Sequence, residues 1–299
     1  MKIFLTGGSG FIGRELCTSL RQRDCEITVL SRTPDAARKL LGPMCDVVDT
    51  PDAVAGSDYD VVINLAGVPI ADRRWSAARK SALFESRVEL TRQLVDAIGR
   101  RARRPALLLS ASAIGYYGDQ GERWVDEDTT PRAEYTHQLC AAWEQAAYGA
   151  QAHGVRVCVL RLGLVIGSGG GFLGRLVPLF KLGLGGRLGD GQQWMSWIHR
   201  QDVLRMIHYL IDHETLQGAF NATSPRPVRN SEFTRVLARQ LSRPAAVPVP
   251  AAALQLAMGE MSGLLLTGQR VAPARLLEAG FEFRFEQLED ALGETLAAK

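Results

Sequence analysis

Short apolar runs alternate with longer amphipathic stretches along the first two thirds of the chain. Consecutive apolar residues predict buried strands, and apolar residues with a period near 3.6 predict helices. The two longest predicted helices span 81–98 and 135–151. Because strands alternate with helices, the pattern predicts an α/β fold with a doubly wound parallel sheet. The predicted strands span 3–5, 26–30, 47–49, 61–65, 106–109 and 155–160.

The first predicted strand ends in a glycine-rich turn, TGGSGFIG, which leads directly into an amphipathic helix. Glycines let the backbone approach an anion, and the free N–H groups of a first helical turn point at it. This order of strand, turn and helix is the context in which such a turn binds a dinucleotide pyrophosphate. A turn that is rich in glycine only for close packing is the alternative. The predicted cofactor residues here are Gly7, Gly10, Phe11, Ile12 and Gly13.

Ser31 and Arg32 follow the second predicted strand, at the place that faces the adenine ribose in a dinucleotide-binding sheet. An acidic residue there binds a free ribose 2′-hydroxyl, whereas an arginine fits a 2′-phosphate. The guanidinium binds phosphate oxygens bidentately, and the Ser31 hydroxyl adds one more hydrogen bond. The pair therefore predicts NADP as cofactor. A surface arginine that merely begins a helix is the alternative.

Small residues follow two later strands. Leu65, Ala66 and Gly67 end the strand at 61–65 and leave room for a cofactor at the carboxyl edge of the sheet. The strand at 106–109 is followed by a loop, predicted at 110–118, that is rich in small residues and tyrosine.

The pattern changes after residue 167, where glycine-rich segments at 169–171 and 183–191 flank an apolar helix. We therefore predict a Rossmann-type dinucleotide-binding core over 1–167, with a return of the chain near 198–223. The smaller C-terminal substrate lobe is predicted to comprise 168–197 and 224–299, with a final module from about residue 250.

Composition excludes several classes of function. The net charge of +3 is small and spread along 299 residues, which predicts no nucleic-acid partner. Five cysteines without a CxxC pair or a His/Cys cluster predict no metal site and fit a reducing, cytoplasmic compartment. Prolines, glycines and a glutamate interrupt the longest apolar stretch, 247–266, so no membrane span is predicted. The first strand begins at the second residue, so we expect no leader peptide before it.

These motifs together resemble the extended short-chain dehydrogenase/reductase superfamily. Within it, the chain is similar to the atypical "epimerase family" group, which shares its fold with the nucleotide-sugar epimerases. The resemblance covers essentially the whole chain and implies a small C-terminal module from about residue 250. The segments that carry it are TGGSGFIG, LAG, SASAIGYYG, HQLCAAWE, RLGLVIG, FKLGLGGRLGDGQQWMSWIH and GQRVAPARLLEAGF.

The resemblance also implies an atypical active site. Relatives in the superfamily use a tyrosine as acid/base, a lysine four residues later and a serine that orients the substrate. Ser112 fits the serine, but with the helix aligned at Glu144, Thr136 falls at the tyrosine position and Cys140 at the lysine position. Tyr135 is one residue away. The group often carries cysteine in place of that lysine, and an arginine that Arg87 matches; the predicted cofactor site also includes Ser110 and Leu164.

Three tyrosines, Tyr116, Tyr117 and Tyr135, are candidates for the missing proton donor, although each is also a plausible packing residue. Cys140 would be a thiolate only if a cation such as Arg87 lowered its pKa, and a buried inert thiol is the alternative. The predicted catalytic set is Ser112, Cys140, Tyr135 and Thr136.

Two functions follow from this sequence. The first is an NADP-dependent oxidoreductase or epimerase-like enzyme with a small carbonyl or sugar-like substrate, whose lobe would use polar and aromatic residues of 187–197. The second is a non-catalytic NADP(H)-binding sensor or regulatory module, because the tyrosine–lysine pair is missing. The resemblance implies a homodimer that pairs through the helices at 81–98 and 135–151.

Overall fold

A computed structural model of the chain describes residues 1–297. The strands in chain order are β1 (Lys2–Thr6), β2 (Glu26–Leu30), β3 (Asp46–Val48), β4 (Val61–Asn64), β5 (Leu107–Ala113), β6 (Trp124–Val125), β7 (Arg156–Leu162), β8 (Leu164–Ile166), β9 (Trp194–Met195), β10 (Trp197–His199), β11 (Gly218–Ala222), β12 (Val228–Arg229) and β13 (Arg270–Val271). The helices are α1 (Gly13–Arg21), α2 (Pro34–Leu41), α3 (Ala77–Phe84), α4 (Leu90–Gly99), α5 (Tyr135–Tyr148), α6 (Gly171–Lys181), α7 (Arg200–Asp212), α8 (Asn230–Gln240), α9 (Ala251–Met258), α10 (Gly263–Leu266), α11 (Ala274–Glu278) and α12 (Leu288–Ala297).

Seven parallel strands form the central sheet in the order β11-β7-β5-β4-β1-β2-β3. One face packs on α1 and α7 through residues such as Leu16 and Met206, and the other on α4 and α5 through residues such as Leu94 and Ala147. The strand order reverses between β1 and β4, which is where open α/β sheets bind ligands at their carboxyl ends. The predicted fold class is confirmed, and each predicted strand is present within a few residues of its predicted bounds.

The structure corrects two predicted boundaries near the candidate site. Ser110 and Ser112 lie inside β5 and not in a loop after it, because β5 pairs with β7 residue by residue as far as Ala113 opposite Leu162. The helix predicted at 81–98 starts earlier, at Ala77 after a Ser76 cap, and is interrupted by a π-helical turn at Glu85–Glu89.

The second lobe has its own apolar core, in which Trp197, Phe233 and Leu292 pack together. Helices α6, α8 and α12 supply most of this core, and two small strand pairs, β8 with β10 and β9 with β12, border it. The C-terminal residues also pack beside the central sheet: β13 pairs with β6 in a separate two-stranded sheet, and Leu276 of α11 belongs to the core that α7 and β11 share. No helix within residues 1–297 is both long and apolar enough to cross a membrane.

Candidate active site at the carboxyl edge of the sheet

The turn between β1 and α1 is a backbone cradle built by close approach. Gly7 has φ +73°, and its carbonyl oxygen accepts a hydrogen bond from Gly10 N at 2.9 Å. A Cβ atom at Gly13 would lie 2.1 Å from that oxygen, and one at Gly7 would lie 2.7 Å from the Leu65 carbonyl. Neither position has room for a side chain, and the first turn of α1 has N–H groups without intrahelical partners. This geometry fits the pyrophosphate of a dinucleotide.

Phe11 and Ile12 join this turn to the rest of the molecule. A Cβ atom at Gly171 would lie 2.8 Å from the Phe11 ring, so the ring packs directly on the start of α6. The guanidinium of Arg200, the first residue of α7, lies 4.6 Å from the ring centroid. Ile12 is the N-cap residue of α1 and packs on the sheet core. The turn is therefore held by the sheet core, by the start of α7 and by the start of α6.

The tip of β2 presents one uncommitted cation. Ser31 is buried, and its hydroxyl oxygen accepts a hydrogen bond from Thr33 N at 3.2 Å. Arg32 is exposed and has no hydrogen-bond or ion-pair partner among residues 1–297. The arginine is thus the side chain at this tip that is available to a ligand.

A buried polar network fixes the carboxyl ends of β1, β4 and β5. Asn64 accepts a hydrogen bond from Thr6 Oγ1 at 2.7 Å and donates to Ser110 Oγ at 3.2 Å and to Thr91 Oγ1 at 2.8 Å. Thr6 Oγ1 in turn accepts from Ala66 N at 3.1 Å. The network holds the segment Leu65 to Gly67 beside the glycine turn, while the Ser110 hydroxyl is buried inside it.

Arg87 lies in the π-helical turn and holds the chain that follows β4. Its Nη2 donates to the Val68 carbonyl at 3.0 Å, and a Cβ atom at Gly67 would lie 3.0 Å from its Cζ. Burial lowers the pKa of this guanidinium, although the neighbouring Cys140 and Tyr135 raise it. The predicted cofactor residues Arg87 and Gly67 are thereby brought together.

The Ser112 hydroxyl is engaged by a buried ion pair. It donates to Glu144 Oε1 at 2.7 Å, and Arg161 donates to both carboxylate oxygens of Glu144 at 2.9 Å. Both charged side chains are buried, with 6% and 4% of their surfaces exposed. Burial lowers the pKa of Arg161, but the hydrogen bonds and charge of Glu144 outweigh it and raise that pKa overall.

Cys140 lies beside Ser112 at the end of β5. Burial, and then the charge of Glu144, raise the pKa of its thiol to about 12, and the nearby Arg87 only partly offsets this. The thiol is protonated at neutral pH, so the structure favours the inert thiol over a thiolate activated by Arg87. Thr136, one turn earlier on α5, packs against the backbone of Gly115.

The three candidate tyrosines have different surroundings. Tyr117 is fully buried and bonded to Arg161 and Asn221, and burial raises its pKa. Tyr116 packs against the guanidinium of Arg161, at 3.5 Å. The Tyr135 hydroxyl is buried and has no hydrogen-bond partner among residues 1–297. Tyr135 is therefore the candidate with a buried hydroxyl that lacks a partner, while the hydroxyl of the half-buried Tyr116 also makes no hydrogen bond within residues 1–297.

A lysine and a tryptophan pack against the ring of Tyr135. The Lys80 ammonium lies 4.3 Å from the ring centroid and is paired with Glu260 at 2.7 Å, and Trp75, from the segment before α3, packs edge to face at 4.9 Å. Burial raises the pKa of Tyr135, while the charge of Arg87 lowers it. The hydroxyl is thus protonated at neutral pH and can donate.

Several important residues could not be assigned a role from the sequence. Glu144 served only to align its helix, yet its carboxylate organises Ser112 and Arg161. An arginine near the end of an otherwise apolar strand is the signal that was available, because a buried cation requires a carboxylate partner.

The predicted cofactor residue Leu164 begins β8, where its backbone N donates to Ser196 O at 2.9 Å.

The polar residues predicted to line the substrate lobe are mostly used in its own structure. Trp197 is buried and donates to Arg226 O at 3.0 Å, and Gln193 donates to Leu265 O at 2.6 Å. Trp194 packs between two arginines, with Arg229 at 4.0 Å and Arg270 at 4.3 Å from its ring centroid. The Gln192 carbonyl accepts a hydrogen bond from Arg229.

Comparison with known proteins agrees with this architecture. Residues 3–222 match the model of the NAD dependent epimerase/dehydratase family, and residues 249–295 match a domain of unknown function, DUF1731. The epimerase family protein MT2273 of Mycobacterium tuberculosis is 41% identical over 295 residues, which cover 97% of this chain and 96% of that protein.

Two solved structures superpose over nearly the whole chain. The crystal structure of human epimerase family protein SDR39U1 (isoform 2) with NADPH has a TM-score of 0.90 at 32% identity, with 100% of both chains covered. UDP-glucuronic acid 4-epimerase from Bacillus cereus has a TM-score of 0.82 at 17% identity, covering 99% of this chain and 98% of that one, which shows likeness in fold. From the family match and these full-length relatives, the chain belongs to the NAD dependent epimerase/dehydratase family.

Proposed function

We propose that the chain binds NADP(H) and uses it, as an epimerase-like or reductase-like enzyme, on a small carbonyl or sugar-like substrate. The observation that carries the choice of cofactor is Arg32, an exposed cation at the carboxyl end of β2 with no partner among residues 1–297. The tip holds Ser31 and Arg32 and no carboxylate, so it suits a 2′-phosphate better than a 2′-hydroxyl. The human relative, whose crystal structure is with NADPH, supports the same choice.

Different residues of the chain would bind the cofactor and donate the proton. Gly7, Gly10 and Gly13 would hold the pyrophosphate, and Arg32 the 2′-phosphate. A bound nicotinamide supplies or accepts hydride. Tyr135 would then donate a proton to the substrate oxygen, because its buried hydroxyl has no other partner among residues 1–297.

Arg87 would favour the phenolate left after proton donation, because its charge lowers the pKa of Tyr135. The Lys80 ammonium lies 4.3 Å from the Tyr135 ring centroid, but it is paired with the Glu260 carboxylate at 2.7 Å. Trp75 covers the ring edge to face, so substrate would reach the hydroxyl by displacing the segment that carries this tryptophan.

A non-catalytic NADP(H)-binding sensor or regulatory module is the second candidate function. Two observations favour it. The Ser112 proton is committed to Glu144, and the Cys140 thiol has its pKa raised to about 12 by burial. Neither side chain therefore supplies acid/base chemistry at neutral pH.

The cofactor proposal is tested by Arg32→Gln. We expect NADPH affinity to fall about tenfold to a hundredfold, because hydrogen bonds to a charged phosphate are lost, and NADH affinity to stay unchanged. Isothermal titration calorimetry measures both. Lys39→Gln is the matched control, since it removes an exposed cation of α2 and should leave both affinities unchanged. Equal affinities of the wild type for NADPH and NADH would contradict the proposal.

The enzymatic half is tested by NADPH oxidation against a panel of small aldehydes, ketones and oxidised sugars. Tyr135→Phe should lower kcat at least about a hundredfold while NADPH affinity is kept, because general acid catalysis is removed. Unchanged kcat in Tyr135→Phe would remove this residue from the site. Tight NADPH binding by the wild type without turnover of any panel member would favour the sensor.

A further inference from the structure

A cavity of about 460 Å³ lies on the second lobe, and none of its lining residues belongs to the cofactor or candidate catalytic sets. Its wall combines two guanidinium groups, two hydroxyl groups and small apolar side chains, and no acidic residue lines it. A cavity of this size accommodates a small molecule. The residues that matter for its chemistry are Arg187, Ser231, Thr234, Arg235, Ala238 and Pro248.

Backbone pairing fixes the shape of this cavity. Leu188 and Val249 form a parallel bridge, and Val249 N donates to Arg187 O at 2.9 Å. Ser231 N donates to Gly191 O at 2.9 Å, which ties the segment 187–191 to the first turn of α8. The cavity is therefore built from three segments that are already joined, so binding would require little reorganisation.

The two arginines are held near α8 without counterions. A Cβ atom at Gly191 would lie 3.3 Å from Cβ and Cδ of Arg187 and 3.1 Å from Cβ of Ser231, so the arginine stem packs beside this helical turn. Neither Arg187 nor Arg235 has an ion-pair or hydrogen-bond partner within residues 1–297. Two like charges that face one cavity repel each other, and an anion between them removes that repulsion.

Thr234 adds a hydroxyl group to the wall of the cavity. The residue is 6% exposed, and its hydroxyl makes no hydrogen bond to another residue in the described part of the chain. The hydroxyl oxygen is not among the buried polar atoms that lack a partner, so it is open to the cavity. It is thus a free donor on the same wall as the two cations.

We propose that this cavity binds a small organic anion, namely a phosphate or carboxylate group on a compact apolar body. Arg187 and Arg235 would bind the anionic oxygens, and Ser231 and Thr234 would donate from their hydroxyl groups. Ala238 and Pro248 would contact the apolar body. The site is separate from the glycine turn and does not depend on the proposed NADP(H) function.

Calorimetric titration of the full chain with phenyl phosphate and with benzoate, at constant ionic strength, tests the proposal. Binding to the wild type is expected for one of these probes or for both, with NADPH present or absent. Arg187→Gln and Arg235→Gln should each weaken it at least about tenfold. Thr234→Val keeps the shape of the side chain and should weaken binding about twofold to tenfold, since it removes one hydrogen bond.

Arg239→Gln is the matched control, because this arginine is exposed on α8 one turn beyond Arg235 and does not line the cavity. It should bind both probes as the wild type does. Absence of binding to the wild type would overturn the proposal. Binding that survives Arg187→Gln and Arg235→Gln but is lost in Arg32→Gln would overturn it too, because the anion would then occupy the cofactor tip.

Discussion

Ser112 sits where a reductase serine is expected, but its hydroxyl proton points at Glu144 and not at an open site. The residue and its neighbour Cys140 could be located from sequence, because a motif fixes their position along the chain. Their protonation states could not, because these depend on burial and on Arg161, 17 residues beyond Glu144. Chemistry at this site is therefore set by tertiary contacts that no local spacing encodes.

Glu144→Gln tests the strength of that arrangement. It leaves the buried Arg161 without a counterion, so we expect the free energy of unfolding to fall by about 3–5 kcal/mol. Urea denaturation measures the change. Glu89→Gln, which removes the partner of Arg92 in an exposed pair, is the control and should cost less than about 1 kcal/mol.

Adding Arg161→Met to Glu144→Gln distinguishes the cost of an unpaired buried charge on Arg161 from the cost of altered packing at residue 144. The double variant should recover much of the loss, because an apolar side chain replaces the unpaired cation. If Glu144→Gln alone unfolds at the same urea concentration as the wild type, the pair contributes nothing and Ser112 is free to act elsewhere.

Among the elements, the strands of the sheet were the most predictable. A parallel sheet is covered on both faces, so its strands read as continuous apolar runs such as those of β1, β2 and β4. The end of β5 was missed because Ser110, Ala111, Ser112 and Ala113 read as a loop; pairing with β7 keeps them extended.

The π-helical turn at Glu85–Glu89 was not predictable from periodicity, because a single such turn hardly changes the spacing of apolar residues along the helix. It changes the direction of Arg87, which there reaches Val68 and the backbone beside Gly67. Turns of this kind are often found at functional sites. Helices α4 and α5 pack against each other within the chain, and the homodimer through these helices stays a prediction.

On the scale of the whole molecule, the C-terminal residues bind the two lobes together. The strand β13 pairs with β6, Asp202 of α7 accepts hydrogen bonds from Arg284 N and Phe285 N, and α12 packs on α8. These contacts join residues far apart in sequence, so the sequence indicated a separate module without indicating where it packs. His199 lies at the centre of this junction.

His199 couples the start of α7 to α12. Its Nδ1 accepts from Gln201 N at 3.3 Å, so its Nε2 carries the proton and donates to Glu294 Oε2 at 3.0 Å. The ring is 2% exposed, and burial lowers its pKa below 6.5 even though Glu294 raises it. Protonation would place a proton on Nδ1 and remove the cap of α7.

This histidine should make the protein sensitive to acid. The unfolded chain takes up a proton on this side chain near pH 6.5, whereas the folded protein does so only at lower pH, so stability falls as pH drops below about 6.5. Burial lowers the pKa of His208 as well, which adds to the same slope. His199→Asn should therefore make the dependence of the unfolding free energy on pH shallower between about pH 7.5 and 5.5.

Glu294→Gln should have the opposite effect. It removes the negative charge that raises the pKa of His199. The difference between the His199 pKa in the folded and the unfolded protein therefore becomes larger, and more stability is lost in acid. Urea denaturation at several pH values measures all three proteins. A His199→Asn variant with the same pH slope as the wild type would show that the junction between α7 and α12 does not titrate, and that the acid sensitivity arises at His208 or elsewhere.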